Sequence, residues 1–149
     1  MTTKNLTYQD AELTLRLYEI RREATMRKSR DIVNGSFWPD SYADVQTVLH
    51  WNHPFNAAVR QTSSYWEMVY GMARNGIINA DYLMENQGEG LVLFSKVQPY
   101  LAELRQDYGD TMYRNAEWIT QNSETGRQAL ERIQARLVKF REMAQASKG

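Results

Sequence analysis

The two histidines are the residues whose type and spacing come closest to a metal site. His50 and His53 are three positions apart, so on a helical turn both imidazole rings project to one side and could bind a divalent metal. A stable zinc site needs one or two further ligands, and this spacing differs from that of the His-Glu-x-x-His proteases. We therefore predict no metal and no cofactor, and we expect both histidines to be polar residues at the end of a helix.

Other catalytic signatures are missing from the 149 residues. The residue three positions before His50 is Thr47, so the Glu-x-x-His pairs of di-iron bundles are absent. There is no cysteine, no Gly-x-Ser-x-Gly nucleophile elbow and no phosphate-binding loop. Glu103 and Asp107 lie one helical turn apart, but such like-charged neighbours are more typical of a solvated face than of acid–base catalysis. The sequence favours a protein that is not an enzyme.

The charges balance at 18 basic and 18 acidic residues, so no overall field would attract nucleic acid or an anionic membrane. One basic run stands out, but Glu19, Glu23 and Asp31 interrupt it at spacings that allow ion pairs along the same helix. We expect a solvated, salt-bridged face and do not expect nucleic acid as a partner. The basic run consists of Arg21, Arg22, Arg27, Lys28 and Arg30.

Aromatic residues crowd the stretch between positions 37 and 70. Most of them should pack in the core, but tryptophan and tyrosine combine apolar area with a polar group, which also suits a ligand pocket or a partner surface. The alternative function is therefore a small-molecule-binding protein, or an enzyme of unfamiliar type, with its site near the histidines. Its candidate ligand-binding residues are His50, Trp51, His53, Trp66 and Tyr70.

Apolar residues recur at three- and four-residue steps along the chain, which predicts an all-α fold. At this length we expect one domain over residues 1–149, a bundle of about six or seven helices with long helices at both ends. The first helix should run roughly from Tyr8 to Val33 and end at Asn34-Gly35.

The remaining helices follow from caps and breaks in the sequence. A central helix is predicted from Pro54 to about Asn75. The segment Gln87-Gly88-Glu89-Gly90 should break the chain, and Pro99 should kink or divide a helix from Leu91 to Tyr108. The predicted N-terminal caps are Asp40 or Ser41, with Ser41 and Asp44 at capping-box spacing, then Asn79, and Thr125 with Gln128.

The last helix carries an apolar stripe that could pack on its own bundle or on the same helix of a second subunit. Together with the missing catalytic signatures, this stripe favours a non-enzymatic binding or protein-interaction module that can self-associate. Its partner would be another copy, an unknown protein or a small molecule. The predicted interface residues are Leu130, Ile133, Leu137 and Phe140.

The apolar runs are short. The longest, such as Leu91 to Phe94, fall far below the ~18 residues that a membrane-spanning helix needs. The first apolar stretch, Leu13 to Ile20, contains Arg16 and Glu19 and so lacks the apolar region of a signal peptide. We expect no transmembrane segment and a cytoplasmic protein.

Several short motifs together carry a family resemblance: Arg21-Arg22-Glu23-Ala24-Thr25, Tyr65-Trp66-Glu67, Gly76-Ile77-Ile78, Pro99 and Arg105. With them, the stretch from roughly residue 15 to 120 resembles a family of small bacterial helical proteins classed as domain of unknown function 4760. The resemblance implies a compact helical fold and a bacterial origin, and it leaves the last helix outside. Members often carry an apolar N-terminal anchor helix, whereas this chain opens with Met1-Thr2-Thr3-Lys4-Asn5. The family has no assigned activity, so the resemblance transfers no catalytic or binding residue.

Overall fold

The computed structural model describes residues 5–147, and each regular element in this part of the chain is a helix. The all-α fold class predicted from the spacing of the apolar residues is confirmed. Two of the predicted helices are divided, so the described residues form more helices than the six or seven expected. In chain order they are α1 (Tyr8–Arg21), α2 (Ala24–Ser36), α3 (Tyr42–Leu49), α4 (Asn56–Arg74), α5 (Ala80–Asn86), α6 (Gly90–Val97), α7 (Leu101–Tyr108), α8 (Arg114–Asn122) and α9 (Glu124–Ala146), with a 3-10 turn at Gln98–Tyr100 between α6 and α7.

Helix α4 is the central element, as predicted. It packs against α2, α3, α5, α6 and α8. Its inward face includes Trp66, Val69 and Tyr70, all buried. The helix begins at Asn56 and not at Pro54, because the buried Asn56 side chain donates a hydrogen bond to the Val48 carbonyl at 3.0 Å and ties this end to α3. The core is thus built around the helix that the sequence placed there.

The predicted first helix, Tyr8 to Val33, is wrong as a single element, since the chain breaks between α1 and α2. The Glu23 carboxylate accepts the backbone N–H groups of Thr25 at 3.0 Å and Met26 at 3.1 Å, so it caps a new helix. Neither glycine nor proline marks this break in the sequence. At its other end α2 continues to Ser36, past the predicted stop.

The other boundaries follow the sequence more closely. Ser41 caps α3 and Asn79 caps α5, each through its side-chain oxygen. Pro99 divides the predicted helix from Leu91 to Tyr108 at the 3-10 turn. The predicted cap of the last helix at Thr125 is wrong, because the Ser123 hydroxyl takes that position and accepts the Gly126 N–H at 3.0 Å. The sequence therefore locates nearly every helix but misses the caps at Glu23 and Ser123.

The segment predicted as a simple helix break, which we call the Gln87–Gly90 loop, has buried ends, Gln87 and Gly90, and a half-buried middle. Gln87 is 0% exposed, and its backbone carbonyl accepts a hydrogen bond from the Tyr70 hydroxyl at 2.8 Å. Its side chain donates to the Thr14 carbonyl at 3.5 Å and accepts from the Arg21 guanidinium at 3.2 Å. One buried residue, through its side-chain amide and its backbone carbonyl, thus connects α1 and α4 just before the start of α6.

Glu89 of the same loop binds Arg30 of α2. Two hydrogen bonds of 2.5 Å and 2.6 Å join the carboxylate to the guanidinium, a bidentate pair. Arg30 also donates to the Arg21 carbonyl at 2.9 Å, at the end of α1, and the Tyr65 hydroxyl donates to the Leu17 carbonyl at 2.5 Å. The expected pairing of the basic run along its own helix is therefore wrong for Arg30, whose partner lies 59 positions away.

Gly90 lets the loop approach α4 closely, which generates a stability prediction. An alanine here would place its Cβ atom 2.5 Å from the Tyr70 hydroxyl and 2.6 Å from the Trp66 ring. Because both rings are buried, we expect Gly90→Ala to lower the free energy of unfolding by about 1–3 kcal/mol, measured by chemical denaturation.

The control is Gly35→Ala in α2, where nothing lies within 4 Å of the new Cβ atom. It should be neutral, or stabilising by up to about 1 kcal/mol, because alanine favours the helix. Equal effects of the two substitutions would contradict the close packing at Gly90.

Candidate functional site

The predicted ligand-binding residues lie in two different environments. His50 ends α3 and is exposed, and the adjacent Trp51 is 81% exposed. His53 is half-buried, and its Nδ1 atom accepts a hydrogen bond from the Phe55 backbone N–H at 3.0 Å. The structure thus brings three of the five candidates together in the loop between α3 and α4.

Trp66 and Tyr70 belong to the core. They are 4% and 0% exposed, and their rings stack with centroids 5.7 Å apart. Their indole and phenol groups pack against Gly90, away from the loop that holds His50 and His53. The described residues contain no group of three or more histidine, aspartate or glutamate side chains that could hold a metal.

A groove of about 840 Å³ opens between α4 and the loop that leads into α8. Its acidic residue, Glu67, accepts the backbone N–H groups of Asn115 at 3.0 Å and Ala116 at 3.2 Å, and so caps α8 from another helix. Desolvation by burial raises the pKa of Glu67. Tyr113, in the left-handed conformation with φ of 58°, shares a 2.9 Å hydrogen bond with the Ser63 hydroxyl. These polar groups build the start of α8.

The predicted interface residues follow one side of α9. Leu130 packs against the core, Ile133 and Leu137 are half-buried, and Phe140 is 46% exposed. The last three of them line a groove of about 540 Å³, which we call the α9 groove. Its opposite wall consists of Asp31, Asn34, Gly35, Trp38 and Val92.

The bundle leaves this side of α9 largely open. Ala129 is buried, but from Leu130 to Ala146 every residue of the helix is half-buried or exposed. Met143, one turn beyond Phe140, is 65% exposed. The second half of α9 therefore carries an apolar stripe into solvent.

Trp38, which sequence reasoning did not single out, helps to hold the end of α9 in place. The Arg141 guanidinium forms an ion pair with Asp40 and donates to the Pro39 carbonyl at 2.6 Å. It also lies 6.0 Å from the centre of the Trp38 ring. One arginine thus ties the last turns of α9 to the loop between α2 and α3.

Lys96 supports the same tryptophan from inside the bundle. It is 6% exposed, and its Nζ atom lies 3.8 Å from the centre of the Trp38 ring. The amine donates to the carbonyls of Val33 at 2.8 Å and Asn34 at 3.0 Å in the last turn of α2. Desolvation by burial, together with the positive charge of Arg141, lowers the pKa of Lys96 to about 7.

This shifted pKa predicts a pH dependence of stability. The folded protein releases the Lys96 proton near pH 7, whereas the unfolded chain keeps it to about pH 10.4. Between these values the unfolded state binds more protons, so this group's contribution to stability rises with pH, by at most about 1.4 kcal/mol per pH unit.

Thermal unfolding of the wild type and Lys96→Met between pH 7 and 9 measures this contribution. We expect the stability of the wild type to rise with pH relative to that of the variant, which lacks the titrating amine. Parallel profiles for the two proteins would show that Lys96 titrates as an ordinary lysine.

None of the helices in the described residues is both long enough and apolar enough to cross a membrane.

Most of the chain matches a known protein family. No curated protein and no solved structure matches the chain. The model of a family described as "Domain of unknown function (DUF4760)" matches residues 6–123. This range includes α1 to α8 and stops before α9, as the resemblance implied. The chain belongs to the DUF4760 family.

Proposed function

We propose that this protein is a non-enzymatic interaction module that associates with a second copy of itself through the second half of α9. One observation carries the proposal: the apolar stripe of α9 stays open to solvent beside the α9 groove. An exposed apolar surface that adjoins a groove is typical of a protein-binding site.

The hydrophobic effect supplies the driving force. Association would cover the exposed parts of Phe140 and Met143, along with the half-buried Ile133 and Leu137. A large apolar side chain contributes about 1.5–3 kcal/mol when it goes from exposed to fully buried. Association costs about 4–15 kcal/mol in lost freedom, so these partly exposed side chains need matching apolar surface on the partner.

The alternative, a small-molecule site near the histidines, has weaker support. The cavity beside His53 has a volume of about 180 Å³, whereas ligand pockets usually measure roughly 300–1,000 Å³. Of the remaining candidates, Trp66 and Tyr70 are part of the core. The geometry therefore favours the interaction surface.

Replacing Phe140 by aspartate tests the proposed surface. A carboxylate in the middle of the apolar stripe must be desolvated when the partner binds, so we expect association to weaken by about a hundredfold, equivalent to about 2.7 kcal/mol. Sedimentation velocity over a concentration series measures the association, and circular dichroism checks that the helices remain.

The matched control is Val138→Asp, which places the same charge on an exposed position of α9 about 160° around the helix from Phe140, at spacings from Arg132, Arg136 and Lys139 at which side chains do not face each other. It should associate like the wild type. A wild-type protein that stays monomeric at all concentrations, or a Phe140→Asp variant that associates normally, would contradict the proposal.

A further inference from the structure

The outer face of α1 carries exposed apolar residues among charged ones, because the buried face of this helix is partly polar. Its buried residues are Asp10, Thr14 and Leu17. The Asp10 carboxylate accepts the backbone N–H of Asn79 at 2.9 Å, and the Thr14 carbonyl accepts a hydrogen bond from the Gln87 side chain. Hydrogen bonds, together with the buried Leu17 and the half-buried Leu13, thus hold α1 to the bundle.

Two other apolar residues of α1, Leu15 and Ile20, face solvent instead. Leu15 is 63% exposed and Ile20 is 41% exposed, and the neighbouring Ile77, from the turn after α4, is 64% exposed. An amphipathic helix normally turns such residues toward the core. With Leu13 they line a groove of about 850 Å³, which we call the α1 groove.

The α1 groove and the apolar stripe of α9, with the charged residues beside each, share one residue layout. On α1, an acidic residue followed by an apolar one stands at Glu12-Leu13 and again, seven positions later, at Glu19-Ile20. On α9, a basic residue followed by an apolar one stands at Arg132-Ile133 and again, seven positions later, at Lys139-Phe140. A spacing of seven residues is about 10.5 Å along a helix and returns to nearly the same side, so the charged and apolar positions of the two faces are in step.

The charges at the matching positions are opposite. The face of α1 carries two acids with Arg16 between them, whereas the face of α9 carries three bases, Arg132, Arg136 and Lys139. The segment from Ile133 to Ala146 is about 21 Å long, the same length as α1. The two faces therefore complement each other in apolar spacing, charge and length.

We infer that the second half of α9 of one copy docks in the α1 groove of another copy, with Arg132 and Lys139 beside Glu12 and Glu19. This inference rests on the proposed self-association and names the surface that receives α9. The contact joins two different surfaces, so it closes into a reciprocal pair or a ring, or continues as a chain of copies.

Charge reversal on each helix tests the inference. The first variant, Glu12→Lys with Glu19→Lys, makes both faces basic; the second, Arg132→Glu with Lys139→Glu, leaves both faces acidic on balance. Each variant alone should self-associate at least about tenfold more weakly than the wild type, because like charges face each other. All four positions are exposed, and thermal melts check that both variants remain folded.

Mixing the two variants is the decisive measurement. The basic α1 groove of one variant then meets the acidic α9 of the other, so mixed complexes should form with near wild-type affinity in sedimentation velocity. The association of the wild type should also weaken as salt is raised, since the facing charges are screened.

The outcomes separate this inference from the proposed function. If Glu12→Lys with Glu19→Lys self-associates normally while Phe140→Asp does not, α9 binds elsewhere and the α1 groove is not its receptor. Mixed variants that remain apart would also overturn the inference. A monomeric wild type would overturn both proposals.

Discussion

The fold depends on the polar contacts of the partly buried Gln87–Gly90 loop, which bonds to α1, α2 and α4 just before α6. A buried polar group that loses its partner costs about 1–3 kcal/mol, and more when it is charged. Gln87 and Glu89 avoid this cost because Tyr70, Arg21 and Arg30 all reach them. Since these partners come from separate helices, the loop fixes how the helices are placed with respect to one another.

This way of holding the bundle together explains why its first and last helices present apolar surface. Helix α1 meets the loop through backbone and polar groups, and two of its four leucine and isoleucine side chains, Leu15 and Ile20, lie on the outer face. Helix α9 packs on α5, α6 and α8 through its first half, and Arg141 then ties its far end to the loop before α3. The family match ends before α9, so the two surfaces lie on opposite sides of the family boundary.

The sequence predicted the fold well because periodicity and capping are local properties. The all-α class, the central helix, the caps at Ser41 and Asn79, and the division at Pro99 all depend on neighbours within one or two turns. The break after α1 escaped prediction because its signal is a capping glutamate, Glu23, in a segment with good helix formers on both sides.

The candidate site was harder to predict because it depends on contacts between distant residues. Spacing alone does not separate the exposed Trp51 from the buried Trp66, since both stand in aromatic-rich segments. The cap that Glu67 provides joins residues 48 positions apart. The apolar stripe of α9 could be identified from the sequence, but the partly polar buried face of α1 became visible only with the hydrogen-bond partners of Asp10 in place.

The packing of α1 on the bundle has a dynamic consequence. Detaching α1 uncovers Leu17 and the half-buried Leu13 and breaks a few polar contacts, so we expect this helix to open at a lower cost than global unfolding and its amide hydrogens to exchange before those of α4. A partner that binds α1 would therefore also restrain a part of the molecule that can open by itself.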